Sequence, residues 1–355
     1  MRKINLSPLS PYFESVASAL GFGPASPSKL ARLQEKIAKT KNELSEMEDV
    51  RKSLVDELKD KVEFEQILPG KKSRNLHKQL VANERVHPVD VNDLLQKRIG
   101  DRYANKRCFA RVIRNGGDAA VSAGIFTALV EVPESNDHIK PQDIPGDISH
   151  IKNLDIEPFS ASKGNVVAIL YTISSSNEHN WEKGGRKLAA NVYEYLHAEA
   201  KERGYALTIS TLSPIREFAS HLSKQDEFSR FFDNNKPTEK FFEYLKQSPD
   251  VIKTALMEYL LTKEGKERDP VMNFHLGNGA IIGDLKINEN EPEDWIMVNY
   301  VYPSDANELI RNQTLYKSGN ARPIAPHLLG YTKESTQKYL RIPDYIPAAL
   351  DGPNI

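Results

Sequence analysis

Three short segments of this chain carry residue types that could do chemistry. Residues 174–186 join an apolar run to an amphipathic one and end in Lys183, Gly184, Gly185 and Arg186. A loop that feeds a helix leaves backbone N–H groups free beside the positive end of the helix dipole, so small residues and cations there suit a phosphate. The plainer alternative is an ordinary loop with an exposed, charged helix start. Residues 211–215, TLSPI, place Ser213 where a strand meets a Pro-fixed turn. A hydroxyl at that position can face a cleft, although it can equally cap a turn. Residues 274–280, FHLGNGA, put His275 between two large apolar side chains just before an Asn-Gly turn. Such a histidine is either a satisfied core residue or an acid–base group whose pKa is tuned by burial.

The surrounding pattern says what must position these groups. Residues 165–174 are almost continuously apolar, as a central strand covered on both faces should be. A helix follows at about 186–203, closed by Gly204, and then a strand at 206–212. Residues 107–113 and 123–132, rich in aromatic and β-branched side chains with Asn-Gly-Gly between them, read as an antiparallel hairpin. Residues 217–266 read as helical with breaks at 234–237 and 248–249, and residues 274–287 and 295–302 as final strands. Near the start, Leu30, Leu33, Ile37, Leu44, Met47, Leu54 and Leu58 recur at helical spacing among charged residues. That is a long amphipathic helix over 28–62 with a narrow apolar seam, which must pack on another helix of the chain or on a second copy. The expected fold class is α+β. A helical domain at 1–80 precedes a mixed sheet flanked by helices at 81–323, and a tail at 324–355 has few signals.

Composition narrows the function classes. The 355 residues are 39% hydrophobic and 27% charged, with a net charge of −1. No global basic field is available for nucleic acid, and no run approaches the ~18 apolar residues of a membrane span. The single cysteine, Cys108, excludes an internal disulfide and a Cys-based zinc site and fits a reducing compartment, so a cytoplasmic protein is expected, with an organelle matrix as the alternative. Neither a G-x-G-x-x-G nor a Walker A sequence occurs.

Taken together, the segments DPVMNFHLGNGA (269–280), TLSPIREF (211–218), MVNYVY (297–302), LYTISS (170–175), VHPV (86–89) and KRCFA (106–110) resemble the malonyl-CoA decarboxylase family in sequence, order and approximate spacing. The resemblance spans roughly residues 80–305. It implies a GNAT-like catalytic domain, in which two splayed central strands and the following loop hold an acyl-CoA. It places the catalytic residues on Ser213, His275 and Tyr302, and the CoA-binding residues on Ser174, Ser175, Lys183, Gly184, Gly185, Arg186 and Asn278. It also implies homo-oligomerisation through the N-terminal helices and decarboxylation of malonyl-CoA without metal, biotin or other cofactor. The alternatives are a non-catalytic acyl-CoA sensor, an acyltransferase on the same fold, and a decarboxylase of a related malonyl thioester. One departure stands out. The family carries a catalytic glutamate near the start of the helix after the loop, and counting back from Ser213 that position is Arg186; the nearest acid upstream is Glu182.

Overall fold

The computed structural model describes residues 27–59, 61–83, 90–115, 117–132, 155–161, 164–176, 184–262, 269–287, 295–319 and 321–341. The chain divides into two compact units, Met1–Lys61 and Val62–Ile355.

In the first unit the described residues form one helix, α1 (Pro27–Lys59). Its 33 residues span about 50 Å at 1.5 Å per residue. Ile37, Leu44, Met47 and Val50 are exposed along it.

The second unit is built on a seven-stranded sheet in the order β1-β2-β3-β4-β5-β7-β6. Its strands are β1 (Val62–Ile67), β2 (Lys106–Asn115), β3 (Asp118–Val132), β4 (Asn165–Ser175), β5 (Ala206–Pro214), β6 (Ile281–Ile287) and β7 (Ile296–Tyr302). The β2–β3 hairpin forms around the Asn-Gly-Gly turn as expected. β1 was not anticipated: the sheet begins at residue 62, inside the stretch read as helical, where the second compact unit also begins. The reason is chemical. VEFEQI is an edge strand whose outward Glu63 and Glu65 both pair with Arg114 of β2, so its charges mask a strand beside a helix rich in the same residues.

Every neighbouring pair in the sheet is antiparallel except β4 and β5. These two run parallel, and their pairing stops after Ile169–Ser210. Beyond that point the strands, which continue to Ser175 and Pro214, part into an open V. A register shift opposite Phe126 and Thr127 leaves Tyr171 as an extra residue in β4, a bulge at the place where the strands separate. The sheet is thus the splayed mixed sheet that the GNAT-like resemblance implies.

Helices cover both faces. α4 (Gly184–Arg203) buries Leu188, Val192 and Leu196 against Ile125, Ile209 and Tyr300, and α7 (Pro249–Leu261) and α8 (Pro270–Gly277) extend the same core. α2 (Arg74–Asn83) and α3 (Val91–Lys97) pack Leu76, Leu80 and Leu94 on the other face, over Cys108 and Phe126. Cys108 is buried there, as a packing residue. α5 (Arg216–Leu222) and α6 (Glu239–Gln247) precede α7, and α9 (Ala306–Lys317) follows β7. The segment after residue 323, which has few signals in sequence, pairs with the rest of the unit as far as Arg341. Ile324 bridges to Ile282, and Leu340–Arg341 pairs with Arg322–Pro323.

α4 is locked to the sheet by a buried ion pair. Arg107, with no exposed surface, donates from Nη2 to Glu199 Oε1 at 3.0 Å and from Nη1 to Oε2, while its Nε donates to the Ala104 carbonyl at 2.7 Å. Arg203 joins Glu199 from the same helix at 3.4 Å.

Candidate active site

The strand expected over 274–287 forms only from Ile281, and the residues before it fold as a helix. Asp269 accepts from Met272 N at 2.8 Å as an N-cap, Pro270 occupies the first turn, and α8 runs to Gly277 before β6 begins. His275 therefore projects from a helix. The Asn278-Gly279 turn behind it depends on glycine. Gly279 has φ +92°, and a Cβ there would lie 2.4 Å from the Leu309 carbonyl oxygen. Asn312 Nδ2 ties the same turn to α9 by donating to the Gly279 carbonyl at 3.2 Å.

This placement brings the three expected catalytic residues together. His275 Nε2 lies 3.4 Å from Ser213 Oγ near the end of β5, and His275 Nδ1 lies 2.8 Å from the Tyr302 hydroxyl at the end of β7. Thr211, two residues before Ser213 and so on the same face of β5, places its Oγ1 3.5 Å from Ser213 Oγ. Tyr300 stacks beneath the imidazole, with ring centroids 4.6 Å apart and planes 20° apart. Neither Thr211 nor Tyr300 was singled out from the sequence, yet both follow from the period of two once Ser213 and Tyr302 are placed.

The protonation states follow from burial. His275 is 4% exposed, and desolvation lowers its pKa from 6.5 to about 3, so the ring is neutral at neutral pH. Burial raises the Tyr302 pKa, which keeps the phenol protonated. Tyr302 has one proton to donate and His275 Nδ1 as its hydrogen-bond partner, so the phenol donates to Nδ1. That fixes the tautomer with hydrogen on Nε2, aimed at Ser213. The result is a hydrogen-bonded chain, a relay in geometry, from Tyr302 to His275 to Ser213, whose serine end is partly open at the strand terminus.

The same depressed pKa has a cost in acid. Below pH 6.5 the unfolded chain takes up a proton at this histidine that the folded chain refuses, so stability falls as pH drops toward about 3. The slope from this group approaches about 1.4 kcal/mol per pH unit. His197, lowered to about 4 by burial, acts in the same direction. Urea unfolding midpoints of the parent are expected to fall between pH 6.5 and 4.5 more steeply than those of His275→Gln. Equal slopes would contradict the neutral, buried ring.

The expected ligand-binding residues separate into groups. Gly184 and Gly185 are buried at the start of α4, and a Cβ on Gly185 would meet Phe274 at 3.4 Å and Ser175 Oγ at 3.6 Å. The helix start, Ser175 and α8 thus meet on the face that carries the relay. Ser174 is not brought to the same face. Adjacent strand residues point to opposite faces, and Ser174 Oγ lies under Gly124 beside Leu80, away from Ser175 and His275. Asn278 caps the C-terminal end of α8, with its Nδ2 buried and unpartnered. Lys183 lies outside the described residues. Arg186 is exposed in the first turn of α4, and its guanidinium lies beside Gly277, with Nη2 3.7 Å from the position a Cβ would take. Among the described residues no group of His, Cys, Asp and Glu is placed to hold a metal ion.

Residues 69–325 match the family model described as the malonyl-CoA decarboxylase C-terminal domain. The chain belongs to the malonyl-CoA decarboxylase family. Solved structures agree on the fold. The malonyl-CoA decarboxylase of Rhodopseudomonas palustris is 21% identical, with 86% of this chain and 76% of that one covered and a TM-score of 0.57. That of Agrobacterium vitis is 19% identical, with 86% and 75% covered and a TM-score of 0.59. That of Cupriavidus metallidurans is 20% identical, with 79% and 70% covered and a TM-score of 0.52. No curated protein matches the chain significantly by sequence. The family match covers β2 to β7 and both segments that bear the relay, so the convergence of Ser213, His275 and Tyr302 falls within the malonyl-CoA decarboxylase domain. No helix among the described residues is long and apolar enough to cross a membrane.

Proposed function

We propose that this chain converts malonyl-CoA to acetyl-CoA and CO2 with the Ser213–His275–Tyr302 relay and no cofactor. The observation that carries the reading is the 3.4 Å approach of a serine hydroxyl and a neutral imidazole at the open end of a splayed strand pair, inside a malonyl-CoA decarboxylase domain. Decarboxylation breaks the bond between the carboxylate carbon and Cα. The electron pair moves into the thioester as an enolate, and Cα then takes a proton from His275 Nε2–H, which solvent restores at the open end of the site. The barrier falls when donors are already aimed at the thioester oxygen and the carboxylate is not over-solvated. His275 Nε2–H, held in that tautomer by Tyr302, and the Ser213 hydroxyl are such donors. A neutral imidazole can polarise a carbonyl without carrying a net charge that would hold the substrate's carboxylate in its ground state. The buried start of α4, with Ser175, Gly184, Gly185 and Arg186, is suited to the nucleotide end of the thioester.

Two further readings belong with this one. The exposed Ile37, Leu44, Met47 and Val50 of α1 suit pairing with the same helix of a second copy, and a cytoplasmic role in the turnover of malonyl units fits the substrate. The test is to incubate the purified chain with malonyl-CoA. Acetyl-CoA and CO2 should appear without an added acceptor, at a rate that a metal chelator leaves unchanged. An unaltered thioester would mark a binding protein, and free CoA released only on addition of an amine would mark an acyltransferase. Either result defeats the proposal.

A further inference from the structure

Arg322 is a buried cation without a carboxylate. It is 3% exposed, and among the described residues it has no acidic partner. Its Nη2 donates to the Thr262 carbonyl at 3.2 Å, and its Nε is buried with no hydrogen bond. What surrounds the guanidinium is aromatic. Its carbon lies 5.9 Å from the centre of the Tyr316 ring and 5.8 Å from that of Tyr339. Ring faces attract a cation but do not neutralise it. Burial accordingly lowers the Arg322 pKa, opposed only by these two phenols.

Tyr316 links this cation to the active site. Its hydroxyl donates to Asn273 Oδ1 at 2.5 Å, and Asn273 stands on α8 two residues before His275. The charge of Arg186 reaches the same phenol, and its guanidinium rests beside Gly277, two residues after His275. Arg186 also has no acidic partner among the described residues. The carboxyl that Tyr316 senses as well, Asp269, is engaged by the N–H groups at the start of α8. One guanidinium thus lies beside the Tyr316 ring and the other beside Gly277 of the helix that Tyr316 bonds, and among the described residues neither forms an ion pair with a carboxylate.

An unpaired buried charge is costly, and replacing it by an apolar side chain of similar size tends to stabilise a fold. A protein that retains one has a use for it, and an oxyanion is the partner that a guanidinium fork fits. We infer that Arg322 and Arg186 form an anion site beside the Ser213–His275 relay that takes an oxyanion of the ligand, either a carboxylate or a phosphate. The inference rests on the decarboxylase reading only for which group of an acyl-CoA supplies that oxyanion.

The test uses the full chain and the variants Arg322→Met and Arg186→Met. Ligand-free Arg322→Met should melt no lower than the parent, because the methionine relieves a desolvation cost. Inorganic phosphate and malonate are then titrated by calorimetry. At least one should saturate the parent, and each variant should weaken that binding at least tenfold. Acetyl-CoA, malonyl-CoA and 3′-dephospho-CoA separate the sources. A carboxylate site loses malonyl-CoA affinity and keeps that for acetyl-CoA, whereas a phosphate site loses both alike. The inference is overturned if neither small anion saturates, if Arg322→Met binds them as the parent does, or if that variant melts well below the parent, as a purely structural arginine would require. Anion binding that persists in a chain unable to decarboxylate would sink the proposed function and leave this site standing.

Discussion

His275→Gln is expected to lower the rate of acetyl-CoA formation from malonyl-CoA by about 100-fold or more, the usual range for loss of a positioned acid–base group. Binding of the thioester should change little, because the nucleotide end is assigned to the start of α4 and not to α8. Glutamine keeps an amide near the Ser213 end of the ring, so the fold should survive. What it loses is the donor whose direction Tyr302 sets through the 2.8 Å bond to Nδ1. Ser213→Ala should cost at least tenfold for a related reason: removing one preorganised donor costs about 3–4 kcal/mol in well-built oxyanion sites. Steady-state kinetics check both, with the fall in kcat and not in KM. A rise in KM at constant kcat would instead place these residues in substrate binding.

The largest effect on stability is expected at Glu199. Glu199→Ala would leave the Arg107 guanidinium fully buried with only the Ala104 carbonyl as partner. Breaking a buried pair in this way costs about 3–5 kcal/mol. For a unit of this size that is a fall in Tm of roughly 5–8 °C. The companion variant Arg107→Met/Glu199→Met distinguishes the cause, since replacing both charges by apolar side chains should recover most of the loss. Thermal unfolding of the two variants side by side provides the check. Equal destabilisation would assign the effect to lost packing between α4 and β2 and not to an uncompensated charge.

The sequence made the framework legible where local chemistry and the fold agree. The Asn-Gly-Gly hairpin, the apolar run that became β4, and Gly204 closing α4 (with φ +82°) are of this kind. It misled where tertiary context overrode the pattern. Residues 270–277 carry no charged face, because α8 is buried or half-buried over most of its length, so no helical period could show. The signal present was Asp269-Pro270, a cap followed by a first-turn proline. β1 was hidden by its own edge charges. The relay itself depends on residues 62 and 27 positions apart, and no spacing rule links Ser213 to His275 or His275 to Tyr302. Their union was supplied by resemblance, and the geometry then gave it a physical form. Of Arg186, Tyr316 and Arg322, only Arg186 carried a local signal, as a cation at a helix start; Tyr316 and Arg322 come from α9 and the segment after it, and each looks ordinary in its own stretch.

The double variant Ser213→Ala/His275→Gln, assayed with the two single variants on malonyl-CoA, tests the central claim most directly. If hydroxyl and imidazole act as one unit on the thioester, the double variant should be about as slow as the slower single variant. Losses that multiply in the double variant, or parental rates in all three, would contradict the relay as the catalytic device.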